Sequence, residues 1–584
     1  MPRSSLLYGI LVLLMGFIVL RLAQLQIFEH GKYKELARNN TTRRSLARAP
    51  RGIIYDREGK ILVTSKQSLS VLLYPAVLRK EKDLDAFATK LAKYIDLEKD
   101  ELLEILEKTD PATPLPITLD NDVDIKTAIK IHENEAYLPG VIVQEQAIRF
   151  YPFKEIAAHV LGFVGQINNN ELKAGRDRGL GLGDIVGKDG VERAFDETLQ
   201  GQKGESRVVV DRYGKVIENE NFDKKPNVKK PVKGDDLHLT IDYDLQKVAY
   251  EALGENQGAI VAVKPDTGEI LALASAPSYD PNLFTKPVSN QDYNRLARKK
   301  AFMNRALNAY TPGSIWKPVT ALAALEHGVL SPHDHYKVSG TYMLNGFRFG
   351  DWTSEVGIMD LYGAIEWSRN TFFYQVARLM KVDWIVDLGK EFGFGGKTGQ
   401  ELNGESKGTL PSPSWKKKRY KQRWYPGNTL HYSIGQSFLL ATPLQAARLY
   451  AGIANDGYMP ELTLIKKDKY PEPKPVTGVS LENLKIVQDA LERCVRKGTG
   501  QASKLPDIRI AGKTGSAEVS GYAHSTHGWF ASYAPYEKPE IVVVVFMEGG
   551  GHGGTVAAPR AKKIYDAYFA KLKSNETKNI TVDS

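Results

Sequence analysis

From Ser4 to Leu20 the chain carries no charge and is dominated by Leu, Ile, Val, Met and Phe; past Arg21 the apolar pattern continues from Leu22 to Ile27. At 1.5 Å per residue this stretch spans roughly 36 Å as a helix, enough to cross a hydrocarbon core of about 30 Å if Arg21 reaches to the interface. No small-x-small site follows the run cleanly, so the pattern predicts an uncleaved membrane-spanning helix rather than a removed signal peptide. Beyond it, Arg44 to Ile54 is a basic connection leading into Tyr55 to Val63, where Asp56-Arg57-Glu58-Gly59 sits between strand-like residues and predicts a β-hairpin. Leu84 to Lys108 and Val123 to Ile131 have helical spacing; Val208-Val209-Val210 reads as a strand and Asp211 to Lys215 as a turn.

Lys224-Lys225-Pro226 and Lys229-Lys230-Pro231 mark an exposed linker over Asp223 to Asp236. After it come a strand-like Leu237 to Ile241, a helical Tyr243 to Leu253, and two apolar runs, Gly258 to Val263 and Glu269 to Ala276, that predict a hairpin beside the helix. A mainly helical middle follows. The end supplies Ile508 to Ser520, His527 to Ala534 and Ile541 to Met547, the last with four successive valines suited to a strand buried on both faces. The pattern therefore predicts an α+β fold in which helices lie between two halves of one antiparallel sheet. The expected division is 1–45 anchor and stalk, 46–225 accessory domain, 236–570 principal domain, and 571–584 a polar tail without fixed structure.

Composition adds limits. With 584 residues, 42% hydrophobic and 25% charged, the chain can bury large cores in more than one domain. A net charge of +10 would suit an anionic partner, yet aromatic residues are not interleaved with the basic ones as stacking platforms would require, so no nucleic acid is expected. The single cysteine, Cys494, excludes an internal disulfide framework and a Cys-rich zinc site, and leaves the redox compartment open. Only Arg3 precedes the apolar run, whereas Lys32, Lys34, Arg38, Arg43 and Arg44 follow it, so a positive-inside count puts the bulk of the chain in the cytoplasm. Large domains translocate largely regardless of charge, which weakens that objection.

Three short polar motifs carry the candidate chemistry: Ser314-Ile315-Trp316-Lys317, Ser368-Arg369-Asn370, and Lys513-Thr514-Gly515 followed by Ser516. Pro312-Gly313 breaks the preceding pattern, and Val319, Leu322, Ala323 and Leu325 supply an apolar helix face, so Ser314 is expected at a helix N-terminus with Lys317 on the same face and within reach of its oxygen. To act as a base near pH 7 a lysine must fall from about 10.4 to roughly 7, about 4 kcal/mol of burial and nearby positive charge, which Lys513 could supply. Ser368 and Asn370 fall between two apolar segments, as in a turn between helices facing a cleft. Two duplicates weigh less. Ser414-Trp415-Lys416-Lys417 opens a basic run to Arg423 with no apolar face after it and reads as a solvated loop, although that run could meet anionic wall or lipid. Lys397-Thr398-Gly399 sits in a Gly-rich stretch rather than in a strand pattern.

Taken together the three motifs resemble the active-site set of penicillin-binding proteins and serine β-lactamases. Arg51-Gly52-Ile53-Ile54-Tyr55-Asp56-Arg57, Gly187 to Gly204 and Arg305 to Lys317 extend the likeness to class B enzymes with an N-terminal pedestal, which makes 46–225 a dimerisation-type, non-penicillin-binding domain and 236–570 a transpeptidase domain. Phe349-Gly350-Asp351-Trp352, Trp424-Tyr425-Pro426-Gly427, Ser433-Ile434-Gly435-Gln436 and Ala441-Thr442-Pro443-Leu444-Gln445 are most similar to the penicillin-binding protein 2 branch, the cell-elongation transpeptidases. The resemblance implies D,D-transpeptidation of peptidoglycan stem peptides ending in D-Ala-D-Ala through a serine acyl-enzyme, inhibition by β-lactams that mimic that dipeptide, and no metal or other cofactor. It implies Ser314 as nucleophile, Lys317 as base, Ser368 as proton relay and Asn370 as a hydrogen-bond partner of the donor peptide. Lys513 and Thr514 would hold the terminal carboxylate beside Gly515, and the backbone N–H groups of Ser314 and Ser516 would form an oxyanion hole. It further implies an inner-membrane, single-pass protein with a periplasmic catalytic domain and a polytopic glycosyltransferase of the elongation complex as partner. A division-specific class B transpeptidase, a β-lactam sensor that acylates without turnover and a catalytically silent scaffold remain alternatives.

Overall fold

A computed structural model describes residues 3–582 except 35–41, 48, 80, 82, 96, 112–115, 176–177, 179, 182, 210–229, 287 and 519–525. The turn expected at Asp211 to Lys215 and the Lys224-Lys225-Pro226 part of the linker lie outside the described residues. The chain forms two compact units, Met1–Gly52 with Glu197–Asp235, and Ile53–Asp196 with Asp236–Ser584. In the first, an α-helix Arg3–Ala23 runs on into a π-helical turn Gln24–Phe28, because nothing in this apolar run breaks the backbone ladder. Leu7–Phe28 is long and apolar enough to cross a membrane. Thr42–Ala47 pairs antiparallel with Gly204–Val209 in the same unit.

The second unit joins most of the expected accessory domain to the principal one. Ile54–Tyr55 and Ile61–Leu73 form the predicted hairpin, whose turn is held by Asp56 Oδ1 accepting from the N–H groups of Glu58 and Lys60, each at 2.8 Å. Leu237–His238 adds to Ile54–Tyr55 in parallel, so chain on either side of the expected boundary shares one sheet. Ile117–Val123 and Val141–Phe150 flank the long strand Ile61–Leu73. Helices Leu84–Leu91, Lys99–Lys108 and Ile125–Glu133 occupy the segments with helical spacing, and their apolar faces, including Phe87, Leu91, Leu102, Leu106 and Ile131, close a core over Val71 and Leu73.

The principal sheet has five antiparallel strands, β1 (Gly258–Val263), β2 (Ile270–Ala276), β3 (Ala511–Glu518), β4 (Thr526–Ala534) and β5 (Ile541–Met547), in the order β2-β1-β5-β4-β3. Helix α1 (Tyr243–Leu253) and the C-terminal helix Ala558–Val582 cover one face, burying Leu245, Leu253, Ile564 and Tyr565 against Ile260, Phe530, Val543 and Val545. With helix Pro443–Ala454 packed on the other side, every residue of β5 is buried, which explains its unbroken apolar run. Helices α2 (Lys317–Glu326), α3 (Leu361–Glu366), α4 (Asn370–Leu379) and α5 (Leu481–Arg496) are inserted between β2 and β3, as the sequence pattern predicts.

Two expectations change. The tail expected to lack structure continues the last helix to Val582, and its first residue explains why: Lys571 Nζ bridges Asp242, Asp244 and Glu58 at 2.8, 3.3 and 2.9 Å, and these carboxylates hold its ammonium above the ordinary lysine value. The basic run expected as a solvated loop instead begins as a helix, Pro413–Tyr420, capped by Ser412. Lys416 within it is buried, donating to Asn428 Oδ1 at 2.8 Å with its ammonium 4.9 Å from the Tyr425 ring centre, contacts that no local pattern reveals. Since Ile260 lies fully buried between α1 and the sheet, Ile260→Ala should cost about 2–5 kcal/mol in chemical denaturation, whereas Ile260→Val should cost roughly 1 kcal/mol.

Candidate active site

Ser314 lies in a single 3-10 turn, Gly313–Trp316, that feeds directly into α2, so the serine sits one turn ahead of the α-helix rather than inside its first turn. Sequence and packing make this turn stiff. Ile315 and Trp316 are buried, Pro318 opens the helix, and Gly313 occupies the left-handed region at φ +59 that a side chain would resist. Backbone bonds complete the fastening: Gly313 N–H donates to Gly435 O at 2.9 Å, Tyr450 Oη to Ile315 O at 3.1 Å and Trp529 Nε1 to Thr311 O at 3.0 Å.

Lys317 is 0% exposed. Its Nζ donates to Ser368 O at 2.6 Å and Asn370 Oδ1 at 2.8 Å, with Ser368 Oγ at 3.4 Å; among the described residues none of its hydrogen bonds goes to Ser314. The second motif thus grips the lysine of the first. A neutral amine has two N–H groups and one lone pair, so the two short acceptors satisfy its donors and leave the lone pair for a hydroxyl proton. Burial holds the Lys317 amine well below the ordinary lysine value, and the positive charge of Lys513 adds to that effect. Lys513 is also fully buried, and burial lowers its amine below the ordinary lysine value as well.

The second motif is a turn between α3 and α4, as expected. Ser368 has φ +57, a conformation an L-residue holds only when its surroundings impose it. Arg369 N–H donates to Ala364 O at 2.9 Å and Asn370 starts α4, its Nδ2 donating to Gly350 O at 3.4 Å. The third motif lies on β3 at the sheet edge, packed against the Ser314 turn. Lys513 Nζ donates to Thr514 O at 3.1 Å, and Thr514 Oγ1 pairs with Thr499 Oγ1 at 2.6 Å. Ser516 Oγ accepts from Gly553 N–H and lies beside His552 Nδ1, each at 3.3 Å, while Gln436 Nε2 donates to Ser516 O at 3.4 Å. Gly515 is required by closeness, because a Cβ there would come 2.9 Å from Pro312 O and 3.1 Å from Ile315 Cγ2.

The two duplicate motifs stay apart from this arrangement. Ser414 and Lys417 are exposed on their helix, and Lys397 is exposed in a loop. Residues that motif reading did not assign to the site include Asp351, Gln436, Thr499 and His552. For Asp351 and Gln436 a signal existed, since both lie in the quoted resemblance motifs; for Thr499 and His552 the linear pattern holds none.

A family model of the penicillin binding protein transpeptidase domain matches residues 258–566, and one of the Penicillin-binding Protein dimerisation domain matches residues 46–239. The chain belongs to the penicillin-binding protein family. Among relatives of this penicillin-binding protein, the Peptidoglycan D,D-transpeptidase MrdA of Acinetobacter baumannii is 32% identical over 97% of this chain and 87% of that protein. The PBP2 of Helicobacter pylori, solved in complex with MreC, matches with a TM-score of 0.78 and 28% identity over 91% of this chain and 99% of that one. A structure of a peptidoglycan synthase complex that coordinates polymerization and crosslinking matches with a TM-score of 0.71 and 31% identity, covering 97% and 98%. The resemblance to class B penicillin-binding proteins of the elongation branch is borne out by these relatives.

In this penicillin-binding protein the contact of Gly515 with the Ser314 turn leads to a prediction. Gly515→Ala should push β3 off Pro312 and Ile315, lowering acylation by a fluorescent penicillin about 100-fold while leaving the thermal unfolding transition in place.

Proposed function

We propose that this penicillin-binding protein is the peptidoglycan D,D-transpeptidase of cell elongation, anchored in the bacterial inner membrane by its N-terminal helix with the catalytic domain on the periplasmic side. The observation that carries the reading is the convergence of all three motifs on one buried, proton-poor amine, Lys317. Ser314 Oγ attacks the penultimate D-alanine carbonyl of a donor stem peptide, and Lys317 takes the hydroxyl proton as the C–O bond forms. The proton passes through Ser368 Oγ to the nitrogen of the departing D-alanine as the C–N bond breaks. An amine on a neighbouring stem then attacks the ester, gives up its proton by the reverse route, and releases Ser314 with a new crosslink. Asn370 holds the donor peptide, while Lys513 and Thr514 bind its terminal carboxylate beside Gly515.

The backbone N–H groups of Ser314 and Ser516 receive the developing oxyanion, and losing one such donor typically costs about 3–4 kcal/mol. The packing of β3 against the Ser314 turn supports that pairing. A β-lactam enters as a mimic of D-Ala-D-Ala and leaves Ser314 acylated. Crosslinks form outside the membrane, so the substrate itself argues for an exported catalytic domain. The match to a complex that couples polymerization to crosslinking supports a polytopic glycosyltransferase as partner.

Labelling with a fluorescent penicillin and mapping the adduct peptide should place it on Ser314, and Ser314→Ala should abolish the label; an adduct elsewhere overturns the assignment. Depletion of the protein should give round cells, whereas filaments would point to division. The pH dependence has a definite sign. Because the neutral amine of Lys317 is the active form and its value is depressed, the acylation rate should fall tenfold per pH unit once pH drops below that depressed value, a limb measurable by stopped-flow acylation.

A further inference from the structure

The residue in the middle of the second motif takes no part in the chemistry above, yet it is one of the largest fully buried side chains in the protein. Arg369 Nε lies 3.3 Å from Asp351 Oδ2, with side chains 1% and 0% exposed, and its Nη2 donates to Glu355 O at 2.7 Å. The same Asp351 oxygen accepts from Thr371 N–H at 3.0 Å and Thr371 Oγ1 at 2.9 Å. One carboxylate thus ties together residues on both sides of Asn370. One residue earlier, Gly350 O accepts from Asn370 Nδ2 and Tyr374 Oη, and Asp351 N–H donates to Gly340 O at 2.9 Å, so the Thr341–Gly350 hairpin is bound to the start of α4 at several points.

Resting on the assignment of Ser314 and Lys317, we propose that the buried Asp351–Arg369 pair is a positioning device that holds Ser368 and Asn370 against the Lys317 amine. The geometry requires such a device. Ser368 and Asn370 are the neighbours of Arg369 in the chain, and both direct an acceptor at Lys317 Nζ. Ser368 also sits at φ +57, which a serine does not keep without external restraint. The pair is electrically balanced towards the base as well. The charges facing Lys317 are Lys513 on β3, Arg369 and Asp351, with the Cys494 thiol on α5 and the Phe373 ring completing its surroundings; Asp351 favours the protonated amine and Arg369 the neutral one.

The test is the second-order rate of acylation by a fluorescent penicillin against pH, on the full-length protein in detergent, normalised by active-site titration. Asp351→Asn and Arg369→Gln should each lower the rate per active site about 10–100-fold, as expected for a mispositioned base. Their pH limbs should move in opposite directions, to lower pH for Asp351→Asn and to higher pH for Arg369→Gln. The double variant Asp351→Asn/Arg369→Gln leaves no uncompensated charge; its limb should return to the wild-type position while its rate stays reduced. Arg369→Lys, which keeps the charge without the fork, should likewise restore the limb and not the rate. Unmoved limbs and unchanged rates per site, with only a lower melting temperature, overturn the positioning role and leave an ordinary structural pair. A wild-type protein with no adduct on Ser314 overturns the transpeptidase assignment as well.

Discussion

The site is organised around the cost of keeping an amine out of water. Desolvation lowers the proton affinity of a lysine whose side chain has no contact with solvent, and a second buried lysine nearby acts in the same direction. Everything else in the catalytic part serves this constraint. The 3-10 turn leads the serine directly into the helix that carries the lysine, the Ser368-Arg369-Asn370 turn supplies acceptors for the amine in a dry place, and β3 brings a charge that lowers its proton affinity further. The low proton affinity of this amine is therefore a property of packing before it is a property of any one residue.

That view explains the glycines around the site. Gly313, Gly435, Gly515 and Gly553 all lie where backbones approach so closely that a Cβ would meet another main chain; at Gly435, for example, it would lie 2.1 Å from Gly313 O. Strand, turn and loop are pressed together there without side chains between them, which fixes the Ser314 turn against β3.

Much of this arrangement was legible in the chain because its signals are local. The four valines of β5 and the alternating run before Lys513 mark strands by burial alone, and the break at Pro312-Gly313 marks the start of the turn that carries Ser314. What escaped are the features that depend on partners distant in sequence. Lys416 is buried by Asn428 and Tyr425, and Lys571 is fixed by carboxylates from two other segments. Asp351 lies eighteen residues from Arg369, too far for either helical or strand periodicity to pair them. The grip on Lys317 by Ser368 and Asn370 was hidden for the same reason, since i,i+3 spacing describes a helix face and not the element that packs over it.

The strand order carries one more consequence. β1 and β2 are made early and β3, β4 and β5 last, yet β5 is the strand that lies between β1 and β4 in the finished sheet. While the ribosome is still synthesising the helical insertion, the β1 edge has no neighbour to cover its amide groups, and the serine turn has no β3 beside it. An emerging chain in this state is an inert precursor with an adhesive border, dependent on escort until translation nears its end. Catalytic competence arrives only with the final segment, so a prematurely terminated product can neither crosslink wall nor be trapped by an antibiotic.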